Sequence, residues 1–521
     1  MTYEQGGIAA GLAITTRTGD VLTLADRIAH HHSNSLSTIE SASANAQKAL
    51  QEFKKYFDDS RTNPPGEYKT YVIKNDNHDK LNSLAALLLK NGIQYGYGLK
   101  STASGYNYIT GKTEPCDITV NDMVISAYQP KSVLLHVLLE PKTFVADSNT
   151  YDITAWSLPY AYGLQAYGLK EAIKPGAQKT AGVIPPVAAV KHHAYAYVAP
   201  WQSVNDARFL AELLKRNIKV RYAETAFEAG GKKFAPGTLI IARAGNDSES
   251  FDDNIWSIGI KYGRDLTPLT SGFVEKGVDL GSAFIRYIHP PKVMLVTGED
   301  VSAEKMGEVW HFFDQQLGYP VSLVRYRDLN RTKLGDFDVI VLPDGNYADL
   351  PADKLQNWVK DGGRLIAIES AVAQLADKKV FAIKKKEIDT TKNKPEVKSF
   401  EDRDREAIKS NVAGAIYKLN MDNTHPLGFG FPKYYYSLKL NDDIYGLLSD
   451  GWNIGTIKKD AYVSGFAGEK SKEKLKDGLL LGVQSVGKGS VVYMVDDPLF
   501  RSFWENGKLL FSNAVFMVGA Q

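Results

Sequence analysis

A zinc hydrolase needs three protein ligands, one open coordination position and a carboxylate that takes a proton from the metal-bound water. The ten histidines of the 521-residue sequence are the place to look for such ligands. None of them begins a His-x-x-Glu pair. His30, His31 and His32 are consecutive. On a helix they would point about 100° apart and could not converge on one ion. His192 and His193 would face opposite ways on a strand. His311, between Trp310 and Phe312, reads as the border of a packed helix. No metal ligand is assigned. Nucleophilic catalysis has one candidate pair, Ser370 with His425, but a serine also needs an oxyanion hole. Cys116, the single cysteine, stands between Pro115 and Asp117 and reads as a loop residue. There is no Gly-x-Gly-x-x-Gly and no Gly-x-x-x-x-Gly-Lys-Ser/Thr, so no nucleotide site is expected.

The elements that must position these groups follow from apolar periodicity. Residues 1–22 read as two short strands around a turn at Thr18-Gly19-Asp20. Thr23 or Asp26 would cap a long helix whose stripe (Leu24, Ile28, Leu36, Ile39, Leu50, Phe53) runs to about residue 57. That stripe must be covered or left exposed. Residues 58–66 read as a linker. A second unit follows, with strand 69–74, helix 79–90, strand 93–99, an apolar run at 123–125 and a helix carrying Val133, Leu134, Val137 and Leu138. The aromatic stretch 151–164 reads as a turn and short helix, and 174–187 as another linker. A third unit repeats the pattern of the second 125 positions on, with Leu213, Leu214 and Ile218 standing for Leu88, Leu89 and Ile93.

From residue 290 the alternation is cleaner: strands 293–296, 321–324, 339–342 and 365–368, with helices 303–317 and 351–360. This spacing predicts a parallel sheet covered on both faces. Thr297-Gly298-Glu299 and Asp344-Gly345-Asn346 fall at strand ends, where open α/β sheets bind ligands. The charge-dense stretch 378–411 reads as a solvated excursion. Arg501, with Asp496 and Asp497 upstream, reads as an ion pair locking the last turn. Net charge is +2, which calls for neither nucleic acid nor an anionic membrane as partner. No apolar run is long enough for a membrane span, and residues 1–13 lack the basic leader of a signal peptide.

Two resemblances extend this reading. Residues 290–521 resemble the flavodoxin-like domain of class I glutamine amidotransferases, in which a strand ends in a Gly-x-Cys-x-Gly elbow. Here the matching strand, 365–368, is followed by Glu369-Ser370-Ala371; the elbow glycines are missing and Glu369 holds the nucleophile position. The resemblance therefore implies a degenerate, non-catalytic copy. Thr2-Tyr3-Glu4 resembles the strand that carries the catalytic glutamate of zinc carboxypeptidases of the carboxypeptidase A family. Similar stretches continue at 151–164, 197–222, 308–321, 423–432 and 487–519.

Together these imply the C-terminal part of a multidomain bacterial zinc carboxypeptidase. Residues 1–58 would be the remnant of the peptidase domain, 67–173 and 188–289 two α/β accessory domains, and 290–521 the amidotransferase-like domain. The expected fold class is α/β, several strand-helix-strand units followed by a flavodoxin-like parallel sheet. Glu4 would be the general base of a parent that removes residues from peptide C-termini, with zinc and peptide bound only in that parent, secreted or periplasmic. This chain alone would be inactive. The alternative is a stand-alone binding or scaffolding module that recognises peptide or glycan through residues 290–521.

Overall fold

The computed structural model describes residues 11–146, 148, 150, 152–177, 193–246, 248–376, 378–386 and 399–519. Among these, residues 11–65 with 127–133 form one compact unit, and those within 66–126 and 134–519 form another.

In the first unit the strands Ala13–Thr15 and Val21–Thr23 pair antiparallel. Thr23 caps the helix Leu24–Ala44: its hydroxyl accepts from Asp26 N–H and its own N–H donates to Asp26 Oδ2 at 2.9 Å. This reciprocal box satisfies two donors that a helix start leaves open. The expected single helix is two, broken at Asn45, whose Nδ2 donates to Ser41 O at 2.9 Å. The second runs Ala46–Thr62, so 58–62 is helix and not linker. Asp58 and Asp59 extend it by pairing with Lys54 and Lys55 one turn back. The apolar stripe is open; Ile28, Ile39, Leu50 and Phe53 are 60–67% exposed.

The second unit holds three larger sheets. The first runs Gly96–Tyr97, Met123–Ser126, Thr70–Ile73, Ala166–Leu169, Ser101–Asn107, Thr113–Ile118. The next runs Thr267–Leu269, Ala196–Ala199, Leu239–Ala242, Val220–Ala223, Ile285–Ile288. Four strands of each share one order, 96–97, 123–126, 70–73, 166–169 against 220–223, 239–242, 196–199, 267–269, all antiparallel. The expected strand 93–99 is only Gly96–Tyr97, because at Gly98 the chain presses on Thr119 O, 2.2 Å from where a Cβ would sit. The helices His78–Lys90 and Val204–Lys215 start side by side. Arg264 grips both starts, through Asp79 at 2.7 and 2.8 Å and through buried Asp206.

The last sheet has ten strands. Its first five are parallel, in the order Val321–Arg325, Val293–Thr297, Val339–Leu342, Arg364–Ile368, Gly489–Met494. In chain order that is 2-1-3-4-5, the doubly wound flavodoxin-like arrangement. The fold class is α/β. Beyond it the sheet continues antiparallel through Gly478–Val486, Trp452–Ile457, Val412–Met421 and Tyr434–Lys439, with Tyr462–Ala467 also on Val412–Met421. The expected helix 303–317 is α-helical over Ala303–His311 and π-helical over Phe312–Leu317. The wider turn seats Phe312 and Phe313 against Phe511 at 5.4 and 5.9 Å.

Every residue of the helix Glu505–Phe516 is buried. Such a helix is surrounded by protein, and its polar groups need partners. Lys80 donates to Asn506 Oδ1 at 2.7 Å and Trp201 Nε1 to Asn513 Oδ1 at 2.7 Å. Asn513 Nδ2 donates to Leu427 O and Phe429 O. One helix thus ties the helix of the first sheet, the loop of the second and the core of the last. Of the charged excursion, residues 399–411 are mostly exposed helical turns, and 387–398 lie outside the described residues. No described helix is long and apolar enough to cross a membrane.

Candidate functional site

Glu4 lies outside the described residues, as does His192. Among the described residues no cluster of three His, Cys, Asp or Glu side chains is placed to hold a metal ion.

The place where a doubly wound sheet binds ligands is the crevice at its switch point, between the ends of strands 293–297 and 339–342. Here that crevice is filled by the chain. Val301 bridges Gly345, Ser302 N–H donates to Asp344 O at 2.9 Å, and Asn346 N–H donates to Asp300 O at 2.8 Å. A Cβ on Gly345 would lie 2.8 Å from Asp300 O, so the two loops meet backbone to backbone. Beside them a cleft of about 400 Å³ opens between Thr297–Val301 and Arg325–Arg327.

Next along the sheet is the elbow. Glu369 has φ +51°, the left-handed backbone that a strand-to-helix elbow requires and that a non-glycine residue resists. The conformation persists because Glu369 N–H donates to Met494 O at 2.9 Å and its carbonyl accepts from Val372 N–H at 2.9 Å. Ser370 is committed: its hydroxyl donates to Gly345 O and accepts from Gly345 N–H, both at 2.8 Å. His425 is not near it. His425 shares a pocket with Ser490, at the opposite end of the sheet. Ser490 pairs with Arg364 and Met494 with Ile368, four residues or about 13 Å along the strands. The structure does not bring together the candidate serine and base.

What Glu369 faces is a carboxylate cluster around one lysine. Lys305 Nζ lies 2.8 Å from Asp497 Oδ2, 3.4 Å from Glu308 Oε2 and 3.7 Å from Glu369 Oε2. All four side chains are at most 14% exposed. Backbone donors complete the set, Arg501 N–H to Glu308 Oε1 and Leu499 N–H to Asp497 Oδ1, each at 2.7 Å. Three carboxylates cannot all ionise against one ammonium in a dry site. Burial, with Asp497 close by, pushes Glu308 up to about 9 and Glu369 up to about 8. Burial pulls Lys305 down, but Asp497 and Glu369 outweigh it and hold the ammonium above its usual range. The cluster is an ion lock that ties the helix Ala303–His311 to the chain beyond two strands.

Arg501 is not the partner of the upstream acids, contrary to the sequence expectation. It reaches Glu304 at 3.6 Å on the surface. Asp497 takes Lys305, and Asp496 takes fully buried Lys439 at 2.7 Å and Ser437 at 2.6 Å. Sequence reasoning also missed the pair Ser502 and His311, whose Oγ and Nδ1 lie 2.9 Å apart with Ser502 at φ +53°. The neighbouring amides are spent: Arg501 N–H on Glu308, Ser502 N–H on Leu499 O, Phe503 N–H on Phe500 O. The Gln316 amide also donates to Ser502 Oγ at 3.0 Å, so these three backbone amides supply no oxyanion hole. The sequence shows the residue types but not their meeting: Glu369 directly follows one apolar strand, Asp497 comes shortly after another, and Lys305 and Glu308 lie one helical turn apart.

No protein-family model matches the chain, and no curated protein does. Solved structures that share local architecture include a glutamine amidotransferase from Thermotoga maritima, with 12% identity, 44% of this chain, 97% of that chain and a TM-score of 0.28. Others are a ThuA-like protein from Parabacteroides merdae (13%, 44%, 89%, 0.29) and a β-galactosidase from Bacillus circulans sp. alkalophilus (11%, 43%, 30%, 0.26). The α/β class rests on the chain's own strand order and not on these likenesses.

Proposed function

We propose that this chain is a non-catalytic part of a zinc metallocarboxypeptidase, with residues 290–521 as a degenerate amidotransferase-like domain that braces and binds but does not hydrolyse. The observation that carries the non-catalytic half is the elbow: its strained backbone is kept, its nucleophile position holds Glu369 within an ion lock, and Ser370 is bonded on both sides to Gly345. The peptidase half is supported by Thr2-Tyr3-Glu4, followed by a strand pair and long capped helix. In this reading Glu4 takes the proton of a zinc-bound water, zinc and peptide are held by residues other than those described, and the parent works in a secreted or periplasmic location.

Zinc content and release of C-terminal residues from a blocked dipeptide test it. A chain extended upstream to include a His-x-x-Glu pair should hold zinc and trim the peptide. Glu4→Gln in that chain should lower turnover about 100-fold or more while zinc stays bound. Trimming that is unaffected by Glu4→Gln would remove Glu4 from the mechanism.

A further inference from the structure

A pocket of about 500 Å³ lies at the end of the last sheet away from the elbow, within the size range of small-ligand sites. Trp452 opens one wall at the start of its strand, 54% exposed, with the His425 ring tilted against it at 6.1 Å. His425 Nδ1 accepts from Leu427 N–H at 3.1 Å. Burial holds its imidazole neutral, down to about 4, so the proton sits on Nε2 as an uncharged donor. Asp422 binds Thr424 through Oδ1, leaving Oδ2 as an acceptor. Ser490 is 4% exposed, and its hydroxyl finds no partner among the described residues. Lys488, in the turn beside it, adds one ammonium.

An aromatic face, a neutral ring donor, a carboxylate acceptor and hydroxyls are the complement of a ring with an apolar C–H face and equatorial hydroxyls. Other ligand classes fit worse. Strand Trp452–Ile457 pairs with Gly478–Val486 along its length and with Val412–Met421 at Gly455 and Thr456, and Asp422 N–H donates to Ile454 O at 2.8 Å, which leaves only Trp452 and Asn453 with an open side, too short an edge for an extended peptide. In the turn, Lys488 N–H donates to Lys360 O at 2.9 Å and Ser490 N–H to Gly363 O at 3.2 Å, so these amides are not turned together as a phosphate cradle. We infer that this pocket is a saccharide subsite that binds one hexose unit on Trp452, with His425 and Asp422 reading its hydroxyls. The inference rests on the non-catalytic reading above only in that no bond of the sugar is broken.

The test is titration of the full chain with lactose, cellobiose and chitobiose, followed by indole fluorescence and by saturation-transfer NMR. At least one disaccharide should bind below about 10 mM, and Trp452→Ala should weaken it about tenfold or more. Trp452 is half exposed, so that variant keeps its fold, checked by an unchanged melting temperature. His425→Gln retains a donor and should weaken binding less than His425→Ala. Failure of all three sugars at that concentration, binding indifferent to Trp452→Ala, or displacement of sugar by a short peptide would each overturn the assignment. None of these outcomes bears on zinc binding or Glu4, so the peptidase reading stands or falls separately.

Discussion

Lys305→Met should destabilise the protein by about 3–5 kcal/mol at pH 8, the cost of removing one partner from a buried ion cluster. Among the described residues Lys305 is the one ammonium paired with Glu308, Glu369 and Asp497, all at most 13% exposed. Methionine fills the space of the lysine stem and keeps the contact with the Phe500 ring, over which Nζ sits at 4.9 Å. The loss is therefore electrostatic and not a cavity effect. It should shrink as pH falls toward 5, because the freed carboxylates then take up protons. Chemical denaturation at pH 5 and pH 8 separates the two: an equal loss at both values would point to packing instead.

Glu308→Gln should act in the opposite direction. In the native state Glu308 is raised to about 9, first by burial and then by its hydrogen bond to Asp497. A carboxyl raised above its unfolded value, about 4.3, is fully compatible with folding below that pH. Its contribution is lost as pH climbs through the window up to the folded value. The protein should thus lose stability between about pH 5 and 9 through this group and through Glu369, raised to about 8. Glutamine mimics the protonated form: its Oε1 still accepts from Arg501 N–H, and its amide donates where the shared proton stood. The variant should be more stable than the parent at pH 8 by about 1–3 kcal/mol, with a flatter pH profile. Denaturation midpoints measured across that range check it, and a variant less stable at pH 8 would mean that Glu308 is ionised there.

The alternation of strands and helices after residue 290 was legible because parallel strands buried on both faces read as short apolar runs, such as Leu365 to Ile368. The fifth parallel strand was legible as a strand but not as the neighbour of Arg364–Ile368, since that pairing spans more than a hundred residues and leaves no local mark. The break at Asn45 and the π-turn at Phe312 are answers to capping and to the space around Phe511, which periodicity does not report. For the site, the sequence showed Glu369 and Ser370 directly after an apolar strand with no glycine beside them. It could not show that Lys305 arrives from a helix sixty residues earlier, nor that the loops at Val301 and Gly345 close the crevice. Arg501 was matched to Asp496 and Asp497 on nearness along the chain, whereas those acids turn inward, Asp497 to Lys305 of a helix and Asp496 to Lys439 of a distant strand.

In the proposed reading Glu369 at the elbow is a structural carboxylate and Ser370 is no nucleophile. Ammonia release from glutamine, measured side by side for the chain, Glu369→Ala and Ser370→Ala, tests it most directly. The account predicts the same buffer-level rate for all three. Turnover by the unmodified chain that either substitution abolishes would contradict it.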